Sequence, residues 1–184
     1  MAKFLIGILI ALLISATAHG QATIVIGQSP AALCYQNAIW GRSHASALRP
    51  CDSALQVAQL THRERQRTWV NRAVVNLHLG EPEAALHDLQ QAVDLGFESA
   101  EIDMNRSAAY IRLARYQDAI DAATRALDAG LRDVEKAYYN RAVAYERLGR
   151  IAEAYDDFSA AAAAAPHWQQ PVQQLERFRV SNGT

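Results

Sequence analysis

Six histidines, two cysteines and three recurrent asparagines are the residues through which chemistry could run in this chain, and their spacing limits what that chemistry is. His19, His44, His62, His78, His87 and His167 contain no i, i+4 pair and no neighbouring cysteine, so the sequence offers no zinc ligand set. The spacings GxSxG, GxGxxG and that of a phosphate-binding loop are also missing. Acidic residues such as Glu81, Glu83, Asp156 and Asp157 fall near turns or on solvent-facing stretches, where their role is solubility. The expectation is therefore a non-enzyme with no catalytic residue, no metal and no cofactor. Cys34 and Cys51, 17 positions apart and outside any CxxC, leave two readings: a structural disulfide in an oxidising compartment, or a pair of buried thiols.

The compartment is read from the first residues. Lys3 precedes an apolar run from Phe4 to Ile14, and small residues follow. This is the order of a secretory leader, with cleavage after Ala18, Gly20 or Ala22. Eleven apolar residues are too few for a membrane span, which needs about 20. Sixteen arginines against two lysines fit a bacterial source. The expected location is the periplasm or the outside of the cell, with no stable membrane span after processing, and export favours the Cys34–Cys51 disulfide.

The asparagines are not scattered. Asn71-Arg72-Ala73, Asn105-Arg106-Ser107 and Asn140-Arg141-Ala142 follow one another at spacings of 34 and 35. Past each small residue the same order recurs: Gly80, Ala114 or Gly149 seven positions on, Ala85, Ala119 or Ala154 twelve on, and Ala92, Ala126 or Ala161 nineteen on. A period of this length signals stacked supersecondary units that bury their apolar faces only against one another. Each unit is expected to be a pair of antiparallel helices whose small residues mark the crossings. Larger residues then fill the seams: Trp69, Tyr138, Tyr110, Tyr145, Leu89 and Phe158.

A 34-residue period with small residues at these phases resembles the tetratricopeptide repeat, and the resemblance runs from Gln66 to Trp168. It departs at Asn76 and Ala123, where bulky residues are usual, and at Asp103, which replaces an aromatic. The fold class implied is all-α, a helical-hairpin solenoid. Its units are 66–99, 100–134 and 135–168, preceded by a degenerate amino-terminal hairpin over 31–61 and closed by a capping helix over 169–180. Residues 23–30 read as a linker, strand-like from Thr23 to Gly27. In the amino-terminal hairpin Gly41-Arg42-Ser43 is the turn, and the phase of Tyr35 is left open. In the cap, which Pro171 opens, Val172, Leu175 and Phe178 share the apolar stripe.

The resemblance further implies that the first helix of each unit lines a concave groove that binds a polypeptide. The groove positions are Val70, Asn71, Val74 and Leu77 in the first unit, Met104, Asn105, Ile111 and Arg112 in the second, and Tyr139, Asn140, Val143 and Arg147 in the third. Arg67, Arg112, Lys136 and Arg147 would form a basic margin. An asparagine once per unit can hold the backbone of an extended peptide through its donors and acceptor, or can satisfy a neighbouring helix instead. Val70 and Val74 stand where dicarboxylate-clamping members carry Lys and Asn, which disfavours that ligand. Arg72 and Arg141 are each followed sixteen residues on by an aspartate, Asp88 and Asp157, and Arg106 by Asp121 at fifteen, so interhelix ion pairs are expected at all three.

Composition sets the outer bounds. With 184 residues, 51% hydrophobic and a formal net charge of −1, the chain is one globular domain of ordinary size. The balance of 18 basic against 19 acidic residues supplies no cationic field for nucleic acid, so none is expected as a partner. Two functions fit these readings: an exported adaptor that binds another protein in its groove, and a homo-oligomeric envelope scaffold that self-associates through an end of the solenoid.

Overall fold

The computed structural model describes residues 28–57 and 59–178, all of whose regular structure is helical. Residues 1–27, on which the expected leader and most of the expected linker fall, residue 58 and residues 179–184 lie outside the described residues. In chain order the helices are α1 (Pro30–Ile39), α2 (Arg49–Gln56), α3 (His62–Leu79), α4 (Pro82–Asp94), α5 (Ala100–Arg112), α6 (Tyr116–Asp128), α7 (Val134–Arg147), α8 (Ile151–Ala164) and α9 (Gln169–Phe178), with a 3-10 turn at Ala45–Leu48 leading into α2. They pack as antiparallel pairs, α1 with α2, α3 with α4, α5 with α6 and α7 with α8, and each first helix also touches the pair before it. The result is the expected all-α helical-hairpin solenoid.

Local sequence sets the helix ends. The Thr61 side chain accepts from the Glu64 N–H while Glu64 accepts from the Thr61 N–H, a reciprocal cap that starts α3. Pro30 and Pro82 occupy the first turns of α1 and α4, where a missing N–H costs nothing. Gly80 ends α3 with φ of 83° and Gly149 follows α7 with φ of 74°, values that glycine adopts without a Cβ clash. At the same point of the second unit Ala114 takes φ of 55°, alone among described non-glycine residues.

The nine small residues of the period hold the core together. Ala73, Ser107 and Ala142, Ala85, Ala119 and Ala154, and Ala92, Ala126 and Ala161 are all 0% exposed. Around them Leu89 and Phe158 are fully buried, and Trp69, Tyr110 and Tyr145 pack at the seams. In the cap, Leu175 and Phe178 pack on the cluster of Ala142, Ala154 and Phe158 as the stripe requires. Val172 does not join them: it is 36% exposed, and Pro171, which shares a face with Leu175 and Phe178 at i, i+4 and i+7, takes the buried position instead. In α1, Cys34 and Ala38 turn inward and Tyr35 outward, which settles the phase of the first hairpin.

Two of the three expected ion pairs form. Arg72 donates from Nε and Nη2 to Asp88 at 2.9 and 2.6 Å, and Arg141 makes the same fork with Asp157 at 2.6 and 2.9 Å. Arg106 does not reach Asp121. The position facing it sixteen residues on is Ala122, and Asp121 accepts from Gln117 on an exposed face. Arg106 instead lies 3.5 Å from Asp103, which also accepts from Arg125. Each of the three arginines also makes a bond that the spacing did not foretell, to the second helix of the preceding unit: Arg72 to Asp52, Arg106 to Gln90 and Arg141 to Thr124, all at 3.0 Å. The departure at Asn76 is explained here, since its amide donates to Asp88 at 2.9 Å and completes the acceptor's shell.

Cys34 and Cys51 are bridged and fully buried, tying α1 to α2, with Val74, Val75 and Leu79 of α3 packed against them. Closing a loop of this size stabilises the fold by about 3 kcal/mol. Reductant should therefore lower the urea midpoint of the first hairpin, and an unchanged midpoint with two titratable thiols would count against the bridge. Asp88→Ala leaves Asn76 without its acceptor and Arg72 with Asp52 alone. Because the Arg72 side chain is only 22% exposed, a loss of roughly 2 kcal/mol is expected, against under about 0.5 kcal/mol for Asp121→Ala, both read from denaturation curves.

Candidate functional site

The first helices α1, α3 and α5 lie side by side, and where their amino-terminal halves diverge they leave an open cleft of about 700 Å3. The first turns of α3 supply Arg63, Arg67, Val70 and Asn71. Tyr35 of α1 stands on one side, and Phe97, Glu98 and Ser99 of the α4–α5 connection stand on the other with Glu101 of α5. Basic and acidic groups therefore line one space together with Tyr35 and Phe97. Among the described residues Arg63 and Arg67 have no acidic partner and Asn71 makes no side-chain hydrogen bond. These three are free to engage a ligand. Glu64 is not, because its carboxylate is held by Thr61 and stays below the ordinary carboxylate range through those bonds.

The other expected groove residues divide by surroundings. Leu77 is 6% exposed and belongs to the core of the first unit. Val74 packs beside the disulfide, Met104 on Ala126, Leu131 and Ala137, Ile111 on Ala119 and Ile120, and Val143 on Phe158. Tyr139 stacks on Phe158 and Trp168 at 5.5 and 4.9 Å, and burial raises its phenol above the usual value. Arg112 and Arg147 are exposed on the last turns of α5 and α7, while Lys136 of the basic margin is held by Asp133 at 2.9 Å.

The three asparagines have three different situations. Asn71 opens into the cleft. Asn105 is 7% exposed and makes no side-chain hydrogen bond among the described residues. Asn140 donates to Ser107 Oγ at 2.8 Å and toward the Met104 carbonyl at 3.5 Å, so its amide ties α7 to α5. A ladder of three equivalent amides is thus not what the structure presents. Missed from sequence were Tyr35 and the Phe97–Ser99 connection, which reach the cleft from outside the recurring helix phases. Among the described residues no group of three His, Cys, Asp or Glu could hold a metal ion.

The tetratricopeptide-repeat family model matches residues 135–168, the whole of the α7–α8 hairpin. The second such domain of human RPAP3, solved in complex with the HSP70 peptide SGPTIEEVD, superposes with a TM-score of 0.56 at 23% identity, over 65% of this chain and 98% of that one. The α7–α8 hairpin is thus a tetratricopeptide repeat, and the fold is the one that tetratricopeptide-repeat domains share. MamA shares the repeat solenoid over a longer stretch, with a TM-score of 0.60 at 21% identity over 78% of this chain and 80% of its own. Among curated proteins, unc-45 homolog B of Danio rerio is 35% identical over 78 residues, and a methyltransferase of Gibberella zeae is 28% identical over 100. The repeat region spans only 8% and 14% of those two proteins.

His78, in the last turn of α3, is a further titrating group. Its ring lies against Gly41, 3.8 Å from where a Cβ would stand. Partial burial, and then the Arg112 charge, hold its pKa below the ordinary 6.5. The folded state therefore protonates less readily than the unfolded chain, so the stability His78 contributes is present above 6.5 and is lost as pH falls through the folded value. An NMR titration should place the midpoint below 6.5, and Arg112→Ala should raise it. A midpoint at or above that of a free histidine would remove the effect.

Proposed function

We propose that this chain is an exported adaptor that captures an extended segment of another polypeptide in the cleft between α1, α3 and α5. The observation that carries the reading is the convergence of Arg63, Arg67 and Asn71, none with a partner of its own, on an open space walled by Tyr35 and Phe97. Two cations and an amide suit a segment with backbone carbonyls and an acidic side chain, and the aromatic walls suit an apolar neighbour on the same strand. The peptide complex of the RPAP3 domain supports a polypeptide ligand for this architecture. Val70 and Val74 replace the Lys and Asn of the dicarboxylate clamp, so the segment is read as internal rather than carboxy-terminal.

The reading is one of binding rather than turnover. Among the described residues no histidine or cysteine lines the cleft, and Glu64 is committed to capping α3. Export rests on the leader pattern of Lys3 and Phe4 to Ile14, and the buried Cys34–Cys51 bridge supports an oxidising compartment such as the periplasm.

An array of extended peptides, probed with the purified exported chain, tests the reading. Peptides that bind should lose affinity at least about tenfold to Arg67→Ala, Asn71→Ala, corresponding to about 1.4 kcal/mol, while the circular dichroism spectrum stays the same. Asn140→Ala should instead lower the melting temperature and leave affinity unchanged, because its amide bonds α5. Equal binding by the double variant would move the site to another face.

A further inference from the structure

Trp69, Asp103 and Tyr138 hold the same phase of the first helix in the three units, at spacings of 34 and 35. Where that phase carries a ring, the arginine three residues on lies over it: Arg72 stands 4.5 Å from the Trp69 ring centroid, and Arg141 stands 5.7 Å from that of Tyr138. The middle unit breaks both halves of this arrangement. Its arginine, Arg106, has Ala122 where the neighbouring units place Asp88 and Asp157, and its acid comes from the ring position, Asp103 at 3.5 Å. Charge is thereby conserved and volume is not, because a carboxylate occupies less space than an indole or a phenol. Among the described residues Arg106 lies over no ring. An open concavity of about 420 Å3 is found at this phase, between the end of α4, the start of α5 and the end of α6. Val93, Phe97, Ile102 and Ala129 give it an apolar lining, and Asp103 and Arg106 a polar one.

We propose that this concavity receives a tryptophan or tyrosine side chain of a partner polypeptide, the ring lying on Arg106 and its N–H or O–H donating to Asp103. The partner then returns to the middle unit the ring that the other two carry in their own chain. The inference goes beyond peptide capture in the cleft and does not depend on it. Three features select the occupant. A guanidinium attracts the face of an aromatic ring and has no such preference for an aliphatic side chain. Asp103 Oδ1 is engaged by Arg106 and Arg125, at 3.5 and 3.0 Å, whereas Oδ2 accepts from nothing among the described residues, so a ring that carries a donor fits better than phenylalanine. The volume lies at the small end of ligand pockets and suits a single ring system. One ring held on an open surface binds on the order of millimolar, so occupancy requires that it be tethered to further contacts, which a polypeptide supplies. Phe97 also borders the cleft between α1, α3 and α5, and gives such a chain a surface to follow as it leaves the ring.

NMR of the purified chain, titrated with N-acetyltryptophanamide to roughly 20 mM, reads the site directly. Saturable shifts centred on Ile102, Arg106 and Ala129 are expected. N-acetylphenylalaninamide, which lacks the donor, should bind roughly 2- to 10-fold more weakly, and N-acetylleucinamide should leave the spectrum unchanged. Asp103→Tyr, which puts the ring back into the chain, should abolish the shifts and raise the melting temperature. Ala129→Phe, at an exposed position of the same concavity, should abolish them with Asp103 unaltered. Binding that survives both substitutions, equal binding of the leucine amide, or shifts confined to Tyr35 and Arg67 would overturn the proposal. On a peptide array, peptides that Ala129→Phe weakens should contain tryptophan or tyrosine and bind at least about tenfold more tightly than the amide. Failure of any peptide to exceed the amide would overturn the polypeptide in favour of a free aromatic compound. Arg67→Ala, Asn71→Ala should bind the amide as the wild type does, so failure of peptide capture in the cleft is distinguishable from failure of the ring site.

Discussion

Everything in this fold depends on how closely two helices can approach at three points per unit. Nine positions, filled by eight alanines and one serine, have no exposed surface at all. A side chain larger than these at a crossing would hold the helices apart, and the surrounding seams, filled by Leu89, Tyr145 or Phe158, would open with them. The period of 34 or 35 residues follows from the same constraint, because each crossing must recur at the same height in the next hairpin. Turn glycines and proline starts then place the chain reversals between fixed crossings.

The arginines beside those crossings do a second job. Forked bonds from Arg72 to Asp88 and from Arg141 to Asp157 join the two helices within a unit, and the remaining N–H groups reach back to the unit before. The attraction within such a pair is largely offset by desolvation, so its value lies more in fixing one orientation of the helices than in net stability. Asn76 shows how a departure from the repeat pattern is absorbed. Where Tyr110 and Tyr145 fill space with a ring, Asn76 adds a second donor to Asp88 Oδ2 beside Arg72 Nε and makes a polar seam of the same position.

Sequence made the helices, their pairing and the crossing residues legible because each recurs three times in phase. It located the Arg72 and Arg141 pairs for the same reason and misplaced Arg106, since a spacing of fifteen resembles sixteen on paper but points a side chain about 100° away on a helix. Recurrence also misled at the site. Asn71, Asn105 and Asn140 share a phase, but the groups around them differ: an open cleft for the first, burial for the second, Ser107 for the third. The cleft itself draws Tyr35 from one hairpin and Phe97 from the loop after another, and their sequence separation carries no periodic signal.

The middle hairpin differs from its neighbours in three ways already described: alanine rather than glycine in the left-handed turn at 114, Ala122 where an acid would answer Arg106, and Ala123 in place of Leu89 or Phe158. A Cβ in that turn costs about 1 kcal/mol. In a structure whose parts touch only their neighbours, the least secured part lies on every path between the two ends. A change made in the middle hairpin therefore bears on how both flanking units stack.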